Sequence, residues 1–242
     1  MATMQGKKAP RLPLGEALDN AKMSKLHLSF WLLGGLGIML DGFDFFIIGV
    51  ANPLIQEDLA ASSVQTGLIS AAAIVGAFVG ATFLGPLGDR LGRQRIFKYD
   101  LWMFVAFSVG CMVAWDVPSL IIFRFLLGVA IGLDYPIAAS FLAEILPPKN
   151  RGRWLVSAFA LQAVGMVLGA VVGVLTLLLL PYETSWRIML GFGIIPALVI
   201  IFLRRKVPES PRWLAENGQE AEAIAVAERL TGMQVEVKRK DR

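Results

Sequence analysis

The sequence predicts an all-α polytopic membrane protein with six transmembrane helices, and three observations carry that prediction. Of its 242 residues 56% are hydrophobic and 17% charged, with a mean hydropathy of +0.63, whereas a soluble domain carries charge on about a quarter of its residues. Six apolar runs approach the roughly 20 residues needed to cross a hydrocarbon core about 30 Å thick. The basic residues fall on alternate sides of those runs. The same figures exclude a disordered chain, a nucleic-acid-binding tail and an ordinary soluble enzyme.

Taken in order, residues 1–27 read as a cytoplasmic N-terminal tail, residues 28–203 as the six-helix bundle, and residues 204–242 as the start of a cytoplasmic loop. The spans are expected at about 28–50, 67–87, 97–115, 119–146, 154–180 and 187–203. Continuous apolarity over such lengths lacks the alternation of a membrane β-barrel. Gly34, Gly35, Pro136 and Gly165 suit spanning helices, whose neighbours take up freed backbone groups. The first 27 residues are polar and the run that follows holds two aspartates, so the N-terminus does not read as a cleavable signal. With no cysteine near either end, no lipid anchor is expected. After span 6, Ser210 and Pro211 form a helix start, Asn217-Gly218 a stop, and a second helix is expected over about 219–230.

Of the 23 Lys and Arg, all but Arg124 and Arg187 lie in the two tails and in the loops after spans 2 and 4. The positive-inside rule therefore places both termini in the cytoplasm of a multi-pass plasma (cytoplasmic) membrane protein. Cys111 is the single cysteine, so no intrachain disulfide is possible.

Charges inside spans are costly and usually face a cavity or a partner. Five stand out: Asp41 and Asp44 in span 1, Arg124 and Asp134 in span 4, and Glu144 at the inner end of span 4. The three-residue spacing puts Asp41 and Asp44 on one helical face. At 1.5 Å per residue, Asp41 and Asp44 lie about 20 and 24 Å from the cytoplasmic start of span 1, and Arg124 about 22 Å from the same side. A buried cation and a buried acid pair at one depth are expected partners. Burial favours the neutral form of an aspartate and a nearby Arg the charged form, so a changing distance between them loads and releases a proton.

The loop after span 2 runs Gly85-Pro86-Leu87-Gly88-Asp89-Arg90-Leu91-Gly92-Arg93-Gln94-Arg95. Its G-x-L-x-D-R-x-G-R order resembles the signature of the major facilitator superfamily between spans 2 and 3. Arg124-x3-Gly128-x3-Gly132 resembles the family's span-4 signature. Glu144 with Pro147 and Arg151-Gly152-Arg153, and Pro208 to Arg212, are similar to the sugar-porter branch. Asp41-Gly42-Phe43-Asp44 is more similar to aromatic-acid:proton symporters, and Gly132-Leu133-Asp134-Tyr135-Pro136 to a broad set of metabolite:proton symporters. The resemblance covers about residues 30–230 and implies a fold of twelve spans in two halves, of which this chain matches the N-terminal six. It also implies a C-terminal six-helix half as partner, so the chain reads as a fragment, a split gene or a truncated gene.

By resemblance, Asp44 matches the proton-carrying span-1 aspartate of sugar:proton symporters and Arg124 its partner, with Asp41 an added acid that shares the proton or shapes the pocket. Asp89, Arg93, Glu144, Arg151, Arg153, Glu209 and Arg212 resemble the cytoplasmic charge network that braces the outward-facing state. Gln162 suits either a substrate hydrogen bond or an interhelical one. Tyr135 suits the cavity or the helix packing, and Asp134 is a further substrate-site candidate. Gly165-x3-Gly169-x3-Gly173 suits close helix packing. Drug exporters of the superfamily carry a Gly-Pro pair in this span, and its absence favours uptake.

The expected function is proton-coupled symport of a small polar or carboxylated metabolite. The alternative is a non-transporting member of the same fold: a sensor, a partner subunit or a remnant. No H-E-x-x-H, G-x-S-x-G or Walker motif occurs, so neither an enzyme nor an ATP-driven pump is expected. The expected partners are substrate, protons and the lipid bilayer, with no cofactor, metal or nucleic acid.

Overall fold

The computed structural model describes residues 11–205 and 207–237, leaving aside the side chains of Leu87, Asp89 and Glu183. A two-residue strand β1 (Leu12–Pro13) leads into a short helix α1 (Leu14–Asp19) and then the 34-residue α2 (Lys25–Asp58). The start of α2 is fixed by a reciprocal cap: Ser24 Oγ accepts from His27 N while His27 Nδ1 accepts from Ser24 N. Ser62 and Gln65 repeat the device at α3 (Ser63–Val79). Beyond α3 a π-turn over Gly80–Leu84 closes with Gly85 N donating to Gly80 O, and Pro86 ends the rod.

One turn of helix, α4 (Leu87–Leu91), is followed by Gly92 at φ +97, a value that favours glycine and permits the sharp entry into α5 (Arg93–Met112). Then come α6 (Val117–Ile145), capped by Asp116 and Ser119, and α7 (Arg151–Leu179). The sixth span, expected as one run over 187–203, is broken into α8 (Tyr182–Gly191) and α9 (Ile194–Arg204). Pro196 explains the break, since it donates no N–H and its ring crowds the carbonyl of Phe192 four residues earlier. Two short helices, α10 (Pro211–Glu216) and α11 (Glu220–Thr231), and a strand β2 (Val235–Glu236) complete the described chain.

Five helical stretches among the described residues are long and apolar enough to cross a membrane: Lys25–Asp58, Ser63–Leu84, Val117–Ile145, Arg151–Leu179 and Thr184–Arg204. The expected third span falls short of that measure because α5 opens with Arg93, Arg95, Lys98 and Asp100. It nonetheless runs as a full rod against α6. The apolar windows of α2 and α6 are 61% and 67% buried, against 28% in both α3 and α7, so α2 and α6 form the centre, and they carry Asp41, Asp44, Arg124 and Asp134.

Each central helix is clasped by an outer one through glycine. A Cβ on Gly165 of α7 would collide with Met39 O of α2, and one on Gly42 with Gln162 O. Across α3 and α6, Gly128 and Gly132 meet Ala73 O and Ala77 O in the same way. The spaced glycines of span 4 are therefore a backbone-to-backbone packing surface.

The N-terminal stretch and the post-span helices, read from sequence as separate tails, share one core. β1 and β2 pair in parallel, Leu12 against Val235 and Pro13 against Glu236. Leu14, Ala17 and Leu18 of α1 pack with Leu214, Ala223, Ala227 and Leu230, and this cluster runs on into Phe30, Phe141 and Leu142 of the bundle. Burial of these apolar side chains closes one end of the bundle with a cap.

Candidate functional site

The central polar groups sit where α2 and α6 cross. Arg124 is fully buried and its Nη1 donates to both oxygens of Asp44, at 2.9 and 2.8 Å. The guanidinium Nε and Nη2 have no hydrogen-bond acceptor among the described residues. Buried donors in that condition are rare and costly, so the group is poised to donate to a further oxygen.

Asp41 departs from the expectation that the two acids form one unit facing Arg124. Three residues along a helix of 3.6 residues per turn leave about 60° between two side chains. That offset turns Asp41 toward a second cluster, made with Asp134 of α6, Asp100 of α5 and Arg204 at the end of α9. Arg204 is fully buried, and its Nη1 lies 3.5 Å from both Asp100 Oδ2 and Asp134 Oδ1. Its Nη1 also donates to Phe97 O at 2.9 Å, and its Nε and Nη2 donate to Leu33 O at 3.3 and 3.2 Å. The guanidinium lies over the Phe97 ring, 3.4 Å from its centroid. Gly37 makes room for it: a Cβ there would collide with Arg204 Nη2 and Asp134 Oδ2. Asp134, expected at a substrate site, is thus a member of an ion cluster.

Sequence reasoning missed Asp100 and Arg204. Both lie near span ends by residue count; α5 places Asp100 against α6, and the space left at Gly37 admits the Arg204 guanidinium.

Tyr135, one residue on from Asp134, is half-buried, with its ring centroid 6.0 Å from that of Phe159 on α7. Gln162, one helical turn beyond Phe159, is half-buried and its backbone presses on Gly42. Tyr135, Phe159 and Gln162 therefore stand together beside the α2–α6 crossing.

The cap end holds the remaining expected charges. Arg93 and Glu144 form an ion pair, and Glu144 also accepts from the Ser210 hydroxyl. Ser210 thus stands at the start of α10 without capping it. Glu209 accepts from Gln94 N at 3.1 and 3.0 Å and from Ser210 N at 3.0 Å. Its Oε2 would lie 2.6 Å from a Cβ on Gly92. These contacts lock the loop after α3 to the segment before α10. Other members expected in that network lie apart from it. Arg212 pairs with Asp19 of α1 at 3.2 Å in an exposed position. Arg151 Nε donates to Leu146 O at 3.0 Å. Arg153 is exposed beside Trp31 and Trp154 and makes no ion pair among the described residues. The Asp89 side chain lies outside the described residues.

Comparison with known proteins gives a consistent picture. Residues 32–241 match the family described as "Sugar (and other) transporter". The inner membrane metabolite transport protein YgcS of Escherichia coli K12 is 32% identical over 90% of this chain and 48% of its own length. Myo-inositol transporter 2 of Cryptococcus neoformans is 33% identical over 90% of this chain and 40% of its own length. The chain thus spans about half the length of the curated relatives it matches. These relatives are transporters, not enzymes. In fold, the chain is similar to the partially occluded, inward-open xylose transporter XylE of E. coli, with a TM-score of 0.80 and 24% identity. That match covers 86% of this chain and 56% of the other.

Proposed function

The chain belongs to the sugar (and other) transporter family of the major facilitator superfamily, and from that premise we propose that it supplies one six-helix half of a proton-coupled symporter for a small polar or carboxylated metabolite. The observation that carries the reading is the buried two-point contact from Arg124 to Asp44, which ties the two central helices together.

A proton on Asp44 removes the negative charge and turns one oxygen into a donor, so the two-point contact is lost. Arg124 is then released toward another acceptor, which its two unpartnered nitrogens already invite. Proton binding at one carboxyl is in this way converted into a shift between α2 and α6. The same free donors suit the oxygen of a polar or anionic substrate. Tyr135, Phe159 and Gln162 supply aromatic surface and an amide beside it. The names of relatives, which include metabolite, inositol and phosphate transporters, support a small oxygen-rich substrate. At the cap end, Arg93–Glu144–Ser210 and Glu209–Gln94 hold the loop after α3 against α10 and brace one state of the bundle. The concentration of Lys and Arg at that end supports a cytoplasmic location for it.

The test is proton movement driven by substrate. Vesicles holding the assembled transporter are given D-xylose, myo-inositol, inorganic phosphate or benzoate while external pH is recorded. Symport alkalinises the medium with one of these solutes and not with the others. Uptake that proceeds with no accompanying proton flux would contradict the coupling.

A further inference from the structure

The cluster of Asp41, Asp100, Asp134 and Arg204 has no part in the transport mechanism above. The charged and titratable groups that face it are Asp41 and Asp44 from α2, Asp100 from α5, Asp134 and Tyr135 from α6, and Arg204 from α9. Asp44 is already taken up by Arg124. That leaves three carboxyls around one guanidinium, all of them buried. Full ionisation would leave two negative charges unmatched in an apolar interior, where uncompensated charge is very costly.

The geometry supplies a resolution. Asp100 Oδ2 and Asp134 Oδ1 converge on one nitrogen, each 3.5 Å from Arg204 Nη1, and both carboxyls line one small cavity. Two ionised carboxylates only accept, so these two can bond to each other only when one of them holds a proton. Asp100 Oδ2, both oxygens of Asp134 and Asp41 Oδ2 have no donor among the described residues. A cavity on the scale of a single water molecule lies beside them, lined by Asp41, Asp100, Asp134, Phe104, Ala130 and Ile131.

We propose that Asp100 and Asp134 share an exchangeable proton and form, with Arg204 as counter-charge, a second proton-binding site separate from Asp44–Arg124. A metal cation fits poorly, because a hard cation takes about six oxygen ligands and most of this wall is apolar. Loss of the proton sets two carboxylates against each other between α5 and α6, with Arg204 alone to hold them. Occupancy of the site therefore controls how α5 and α9 seat on the central helices. The inference concerns the bundle itself and stands whether or not the assembled protein is a symporter.

The experiment is infrared difference spectroscopy of this chain in lipid nanodiscs across a pH titration, with 4-¹³C-aspartate labelling. The expected result is a protonated-carboxyl stretch that shifts with the label and in D2O. It persists in Asp44→Asn, is lost in Asp100→Asn and in Asp134→Asn, and is unchanged by sodium at fixed pH. Should the latter two variants fail to fold, the double variant Asp41→Asn/Asp44→Asn decides, because Asp100 and Asp134 are then the remaining buried aspartates among the described residues. A labelled band must survive in it. No such band, its disappearance in Asp44→Asn, its full retention in Asp100→Asn and Asp134→Asn, or its suppression by sodium overturns the proposal.

Discussion

Replacing Arg204 by methionine tests whether the buried cation holds the bundle together. The substitution roughly keeps the length and apolar bulk of the side chain while removing its charge and its donors. In the structure it strips the cation from Asp100 and Asp134 and leaves the carbonyls of Phe97 and Leu33 without their side-chain donor. Removing one partner of a buried ion pair costs about 3–5 kcal/mol. Arg212→Met is the internal control, because the Arg212–Asp19 pair is 39% and 58% exposed, where an ion pair contributes about 0–1 kcal/mol. The assay is reversible denaturant unfolding of the chain in detergent micelles, followed by tryptophan fluorescence. Arg204→Met is expected to lose several times the stability lost by Arg212→Met. Adding Asp100→Asn to Arg204→Met should recover part of the loss, with a coupling energy of about 0.5–3 kcal/mol. An Arg204→Met variant no less stable than Arg212→Met, or strictly additive losses in the double variant, would refute the reasoning.

Three other perturbations have distinct outcomes. Gly132→Leu drives a side chain into Ala77 O, so α3 and α6 must separate at a cost of about 1–3 kcal/mol or more, seen as a lower unfolding temperature and a weaker engineered disulfide between the two helices. Glu144→Gln breaks the ion pair with Arg93, and a cysteine placed near Gly92 should then react faster with a polar maleimide while overall stability changes little. Asp116 is held below the usual carboxylate range by its hydrogen bonds with the Ser119 side chain and backbone. That stabilisation is present above the ordinary aspartate pKa and is lost as pH falls through the depressed value, so Asp116→Asn should flatten the decline in stability on acidification. An unchanged acid limb would rule out the cap as its source.

The spans and the depth match between Arg124 and Asp44 were legible because apolar length and residue count translate directly into position in a bilayer. The further neighbours of Asp41 were not legible, because equal depth does not fix rotation and a turn of about 60° aims it differently from Asp44. Asp100 and Arg204 escaped for a related reason. Each lies close to a charged loop by count, and the gap at Gly37 that admits the Arg204 guanidinium is a property of two helices brought together, not of either sequence segment. The glycines of span 4 formed a recognisable pattern, but their purpose emerged only when α3 was found with its carbonyls against them. The cap was invisible for the same reason: β1 and β2 lie more than 200 residues apart and each is two residues long.

The central claim is that Asp44, held by Arg124, carries the coupled proton, while Asp41 belongs to a separate cluster. It is tested most directly by solute accumulation under an imposed pH gradient in vesicles containing the assembled transporter, comparing wild type with Asp44→Asn and Asp41→Asn. Asparagine keeps the size of the side chain but carries no proton at neutral pH. Asp44→Asn should abolish accumulation against a gradient while leaving downhill exchange, and Asp41→Asn should retain proton-driven accumulation at a reduced rate. Continued accumulation by Asp44→Asn, or the same complete loss in both variants, would contradict the account.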